Sequence, residues 1–122
     1  MIALKALEQD YAGKIKCIYI DPPYNTGARI DADGKEVGYD DGLEHSIWLS
    51  MMMERLIILR SLLSDDGSIW ITLDDNEAHY FKVMCDEIFN RHNFVATTIW
   101  QHSKQSKGYP GKFSLHHNYT FC

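Results

Sequence analysis

One stretch of this 122-residue chain joins an acid, two rigid residues and an aromatic: Asp21-Pro22-Pro23-Tyr24. Residues of these types can work on an exocyclic amino group of a base. Such an amine is a poor nucleophile, because its lone pair is delocalised into the ring. Hydrogen bonds from the NH2 to a carboxylate and a backbone carbonyl draw the nitrogen toward tetrahedral geometry and release that pair. Asp21 can supply the carboxylate and the Pro22 carbonyl the second acceptor. Pro23 stiffens the turn that holds both. Tyr24 offers a flat face for stacking, worth roughly 1–3 kcal/mol by analogy with single-strand binding sites. A base inside a duplex has to flip out to reach such a pocket. The chemistry is then direct displacement on an activated methyl donor, with no covalent enzyme intermediate and no metal.

The elements around the turn are readable from spacing. Ile15–Ile20 is β-branched and aromatic, hence a strand, expected to be buried on both faces near its end. Two adjacent prolines cannot continue a ladder, so the strand stops at Asp21. In open α/β sheets that C-terminal edge is where ligands bind. Before it, Met1 to Gln9 reads as a helix ended by Asp10-Tyr11-Ala12-Gly13. After it, Gly27 to Gly42 is polar and glycine-rich without periodicity, either a functional loop or a solvated excursion. Ser46 is the expected N-cap of a long helix, Ile47 to Leu63, with Trp48, Met52, Leu56, Leu59 and Leu63 at helical spacing. Met51-Met52-Met53 reads as core packing rather than a cofactor box.

Ser64-Asp65-Asp66-Gly67 should break that helix, and Ser68 to Leu73 should form a second strand, parallel to the first. Asp74 and Glu77 are spaced as a capping box for a helix running to about Asn90, with Phe81, Met84, Cys85 and Ile88 on one face. Asp74 could also line the sheet edge that holds Asp21. Phe94 to Trp100 and His117 to Cys122 read as two further strands, antiparallel to each other, joined through a turn at Gly108-Tyr109-Pro110-Gly111.

The hydrophobic fraction of 45% is that of a globular domain, and the length allows one domain or a piece of one. The net charge of −5 argues against binding nucleic acid through the whole surface. The charge is uneven, however. From Gln101 to Cys122 there is no acid, and Lys104, Lys107 and Lys112 could meet phosphate or simply solvate a loop. Trp100 and Tyr119 flank that segment, as base contacts or as sheet-edge packing. Cys17, Cys85 and Cys122 lack metal spacing and read as reduced thiols, with Cys17 and Cys85 in the core. His116-His117 has no further ligand at metal spacing, and no P-loop is present. There is no membrane-spanning or signal segment, so a bacterial cytoplasmic setting is expected.

Asp21 to Tyr24 resembles the DPPY catalytic motif of amino-methylating DNA methyltransferases. The likeness extends to Lys16–Ile20, to Asn25-Thr26-Gly27, and to His45-Ser46-Ile47-Trp48-Leu49 with Arg55-Leu56. Leu62–Gly67 and Asp74-Asp75-Asn76-Glu77 complete an ordered set. Together they resemble the modification subunits of type III restriction systems and their β-class N6-adenine relatives. The resemblance implies an α/β, Rossmann-like fold that binds S-adenosylmethionine. Its parallel strands carry helical crossovers, with strands one and two mid-sheet and the last two as an antiparallel edge hairpin. It implies that residues 1–122 are the central part of a methyltransferase catalytic domain. It also implies methyl transfer from S-adenosylmethionine to the N6 amino group of a flipped-out adenine. Asp21, Pro22, Pro23 and Tyr24 would be catalytic, with Asp21 also touching the donor. The implied partners are DNA and, in the full-length parent, a restriction subunit or a second modification subunit.

Two alternatives stay open. N4-cytosine methylation uses the same amine chemistry, although relatives acting on cytosine more often carry serine at the position of Asp21. A non-catalytic interaction fragment is the other. The sequence contains no G-x-G pair of the FxGxG donor motif, no target-recognition region, and no Gly-Asp-Asn segment ahead of the first helix. The chain is therefore expected to be truncated at both ends, as a gene fragment, a degenerate reading frame or an excerpt of a longer protein. Alone it is expected to be inactive, and either poorly stable or partner-dependent. The missing G-x-G also makes a nucleotide-binding oxidoreductase half a poor reading.

Overall fold

The computed structural model describes residues 2–27, 43–101 and 117–122. Most of the Gly27–Gly42 loop, Lys104, Lys107, Lys112, His116 and the turn at 108–111 lie outside the described residues. The elements are α1 (Ile2–Tyr11), β1 (Ile15–Ile20), α2 (His45–Leu62), β2 (Leu63–Leu73), α3 (Ala78–Phe89), a 3₁₀ turn (Arg91–Asn93), β3 (Thr97–Gln101) and β4 (His117–Phe121).

The strands form one sheet in the order β1-β2-β4-β3. β1 and β2 are parallel, with Ile18 opposite Ile69 and Ile20 opposite Ile71. β4 runs antiparallel to both neighbours, pairing Leu73 with Tyr119 and Thr97 with Phe121. The mixed α/β arrangement with a parallel crossover and an antiparallel hairpin is the one expected. β3 is shorter than its apolar run, because Val95 and Ala96 pair backbone to backbone with Cys122 beyond the regular ladder.

A single core holds the elements together. Trp48, Met52, Leu56, Ile58, Leu59 and Leu62 of α2 meet Ile71 and Leu73 of β2, Phe81 and Ile88 of α3, and Phe121 of β4. Trp48 and Phe81 meet edge to face at 5.9 Å between centroids, a favoured aromatic geometry. This arrangement corrects the reading of β1. Lys16, Cys17 and Tyr19 are exposed, and only Ile15, Ile18 and Ile20 turn toward the core. β1 ends the order of described strands, and among the described residues its second face is uncovered. Cys17 is therefore a surface thiol, not a core one, and all three cysteines are free. Met53 and Ile57 of α2 are likewise exposed, on the side away from the core.

The junction of α2 and β2 also differs from expectation. The helix ends at Leu62 and the strand begins at once, with Leu63 opposite Ile15. The Ser64–Gly67 segment is then accommodated as an irregularity between that pair and the Cys17–Ser68 pair. Gly67 is required there: a Cβ would sit 2.8 Å from the Ile15 carbonyl oxygen and 2.9 Å from the Leu63 side chain. Lys16 of β1 ion-pairs with Asp66 across this bulge, at full exposure. The pair holds the Asp66 carboxyl below its ordinary range, through hydrogen bonds from Lys16 first and Ser64 second.

Candidate active site

The turn after β1 is fixed from below by α2. Trp48 is fully buried, and its indole Nε1–H donates to the Pro23 carbonyl at 2.8 Å. An inward anchor at Pro23 makes Pro22 a buried neighbour and leaves Asp21 exposed at the strand's C-terminal edge. It also engages the Pro23 carbonyl.

Tyr24 is half-buried beside Asp21. Its hydroxyl lies close to the Asp21 carboxylate and accepts from Asn118 Nδ2 of β4 at 3.2 Å. Burial, then the neighbouring Asp21 carboxylate, push the phenol well above its ordinary value, and the Asn118 bond opposes them weakly. Tyr24 is thus neutral at any physiological pH. A carboxylate has about four acceptor positions, so Asp21 can face the tyrosine and still accept from a substrate amine. A cavity of about 290 Å³ adjoins the turn, lined by Leu4, Ile20, Asp21, Pro22, Met51 and Arg55 among others. A larger one of about 390 Å³ lies toward the start of β2, between Arg60, Ser64, Lys82, Asp86, Phe94 and Cys122. No residue of the Asp21–Tyr24 turn lines it, and it holds none of the expected chemistry.

Beyond Tyr24 the chain makes a left-handed step: Asn25 has φ 58°. Asparagine tolerates this conformation better than most residues, yet it still costs on the order of 1–3 kcal/mol unless neighbours impose it. Here both ends of the side-chain amide are used. Nδ2 donates to Glu77 Oε1 at 2.6 Å, and Oδ1 accepts from the Leu43 N–H at 2.7 Å. Glu77 is buried, and its other oxygen lies 2.6 Å from His45 Nδ1. The contact is an ion pair when the imidazole is protonated, and that oxygen has no hydrogen-bond partner among the described residues. His45 in turn meets the Tyr80 ring edge-on at 4.4 Å.

These contacts overturn two local expectations. Ser46 is not the N-cap of α2. Glu44 occupies that position without a side-chain cap, and Ser46 lies inside the helix, its hydroxyl on the Glu44 carboxylate at 3.2 Å. The capping box at α3 is not formed: the helix starts at Ala78 with Glu77 at its N-cap, and Asp74 bonds Asn76 in the turn before it. Asp74 accepts from the Asn76 N–H at 3.0 Å and from its side chain at 2.8 Å, while Glu77 makes no cap bond and turns to Asn25 and His45. The buried carboxylate instead has Asn25 on one oxygen and His45 against the other. In the sequence Asn25 and His45 had no assigned role of their own, and Glu77 only that of a cap. Each stands in a different motif, and each has a sufficient local reason to be there.

Tyr119 packs rather than presenting a base platform. It stacks on Phe121 and donates to Asp75 at 2.6 Å, which raises its phenol. His117 Nε2 lies 3.0 Å from the same hydroxyl. Trp100 is exposed on β3. No described helix is long and apolar enough to cross a membrane.

The comparisons with known proteins agree with this geometry. The chain is 48% identical over 95 residues to a protein described as the probable type III restriction-modification enzyme HindVI Mod subunit of Haemophilus influenzae, covering 78% of this chain. It is 35% identical over 140 aligned positions to the EcoP15I Mod subunit of Escherichia coli, covering 95% of the chain. It is 33% identical over 109 residues to the type II methyltransferase M.EcaI of Enterobacter cloacae, covering 89%. The chain spans only 12%, 21% and 24% of the lengths of these relatives. The family model described as DNA methylase matches residues 15–122, nearly the whole chain, and the protein is a member of that family.

Proposed function

We propose that this chain carries the acceptor half of a DNA adenine-N6 methyltransferase site. The observation behind the reading is the arrangement at the end of β1. An exposed Asp21 carboxylate stands beside a Tyr24 phenol held neutral, on a turn whose Pro23 carbonyl is tied down by Trp48. Asp21 and the Pro22 carbonyl accept the two amine hydrogens and localise the nitrogen lone pair. The Tyr24 ring supports the flipped base. S-adenosylmethionine, when bound, supplies an electrophilic methyl group on sulfonium. The cavity beside Asp21 offers that donor one carboxylate, the Arg55 side chain and otherwise apolar walls, which fits the two charges of its amino-acid end. Lys104, Lys107 and Lys112 are assigned to backbone phosphates of DNA. A restriction subunit or second modification subunit is the protein partner expected of the whole enzyme, in the bacterial cytoplasm.

The test is nucleoside mass spectrometry of DNA incubated with donor and the protein carrying this chain at the relatives' full length. N6-methyladenine is expected, with a loss of at least roughly 100-fold in Asp21→Ala, the scale of a removed transition-state hydrogen-bonding group. N4-methylcytosine instead moves the assignment to cytosine. Unchanged turnover in Asp21→Ala refutes the pocket.

A further inference from the structure

We infer that Glu77 is a positioning residue for the Asp21–Tyr24 turn, acting through a three-residue clamp with Asn25 and His45. The inference rests on reading that turn as the amine-methylating pocket. Nothing in the chemistry of the pocket calls for Glu77. Its side chain is 3% exposed, and its partners are Asn25 and His45 rather than the exposed Asp21. It therefore cannot take a proton from substrate. What it does is hold two segments of chain. Asn25 is the residue after Tyr24, and His45 is the first residue of α2. A buried carboxylate is stable only when its oxygens are paired, so Glu77 demands both partners at once.

The demand falls on the backbone at Asn25. Its left-handed φ sets the direction in which Tyr24 leaves the turn. The side-chain amide is oriented uniquely, since Nδ2 faces a carboxylate that can only accept and Oδ1 faces an N–H that can only donate. Two hydrogen bonds thus impose a conformation that a free asparagine would adopt rarely. Trp48, three residues beyond His45 on α2, grips Pro23 in the same turn. The catalytic turn is therefore held at Pro23 by the indole and at Asn25 by Glu77, with Tyr24 between the two grips.

A glutamate that merely stabilised the fold would leave the turn unchanged in whatever fraction folds. Triple-resonance NMR of the protein carrying this chain at the relatives' full length, isotope-labelled over these residues alone, separates the two roles. In folded Glu77→Ala, the Asn25 Cα and Cβ shifts are expected to leave the left-handed range. The Asp21–Tyr24 amide peaks should move while those of β2 stay in place. Glu77→Gln keeps an oxygen acceptor for Asn25 and should restore the Asn25 signature. In an Asn25→Gly background no Cβ opposes positive φ, so adding Glu77→Ala should displace the turn far less. Turn peaks of folded Glu77→Ala that superimpose on wild type overturn the inference. If Glu77→Ala does not fold, Asn25→Ala decides, with the same displacement expected and unmoved Asp21–Tyr24 peaks refuting it. A separate titration of wild type with a short duplex bearing a mismatched adenine reports on the pocket. Intact clamp signatures without a response at Tyr24 count against the pocket reading and leave the clamp standing.

Discussion

Trp48→Phe isolates what the indole does for the active turn. The substitution keeps an aromatic ring in the core and its edge-to-face partner Phe81, but removes the donor that holds the Pro23 carbonyl at 2.8 Å. Two terms add. The hydrogen bond contributes about 1 kcal/mol net. Pro23 is exposed, so water can reach the freed carbonyl and the full penalty of a stranded acceptor does not apply. Trp48 itself is 0% exposed, so the missing ring area is lost from the core. At about 25 cal/mol per Å², some 40 Å² of that area is worth about 1 kcal/mol. The sum is about 2 kcal/mol of a stability of order 10. Urea unfolding followed by circular dichroism should show a lower midpoint at unchanged slope. In the full-length enzyme kcat should fall more than KM rises, because the acceptors are displaced rather than removed. A loss below about 0.5 kcal/mol, within the range of neutral surface changes, would refute the anchor.

Tyr24→Phe tests the neutral phenol. Tyr24 titrates higher folded than unfolded, so its stabilising effect is complete below the unfolded value near 10 and is lost as pH rises through the folded value. The stability gap between wild type and Tyr24→Phe should be constant from neutral pH to about 10 and then narrow; a gap that widens with alkali contradicts a phenol raised by burial and by Asp21. Gly67→Ala places a methyl 2.8 Å from the Ile15 carbonyl, and should cost about 1–3 kcal/mol in the same unfolding assay. A neutral Gly67→Ala would show that the bulge is looser than described. Alkylation of the folded chain near pH 8 should modify exposed Cys17 first and Cys85 last, since burial pushes the Cys85 thiol up to about 12. Equal rates at the two would contradict the packing of α3.

The sequence exposed the elements that are bounded by strong local signals. β1 stands where its β-branched run lies between Gly13 and Pro22, and α2 follows its apolar spacing to within two residues at its start. Asp21 to Tyr24 was legible because two prolines at a strand end force the chain out of the ladder at a known residue. The clamp was not legible, because each of its members has a complete local role. Asn25 suits a turn, His45 precedes a plausible cap, and Glu77 completes a capping box. Only the packing of α2 against α3 brings the three together, and a long-range pairing cannot be read from spacing. The exposure of β1 was missed for a related reason. A continuous apolar strand signals burial on both faces, but the covering of its second face depends on neighbours that spacing does not reveal.

The geometry explains why a parallel crossover suits this chemistry. A strand that ends in prolines cannot position the following residues through its own ladder, since the ladder stops there. The next element must do it. In a parallel unit the crossover helix begins at the same edge of the sheet where the first strand ends. His45 and Trp48 are one helical turn apart on α2 and so face the same side. One meets the carboxylate that holds Asn25, and the other meets Pro23. The helix start thus grips the turn at two points without occupying the Asp21 carboxylate. That division leaves the acid exposed for a ligand while the backbone around it is fixed. A strained loop that carries an exposed acid is thus held by buried groups that leave the acid free of them.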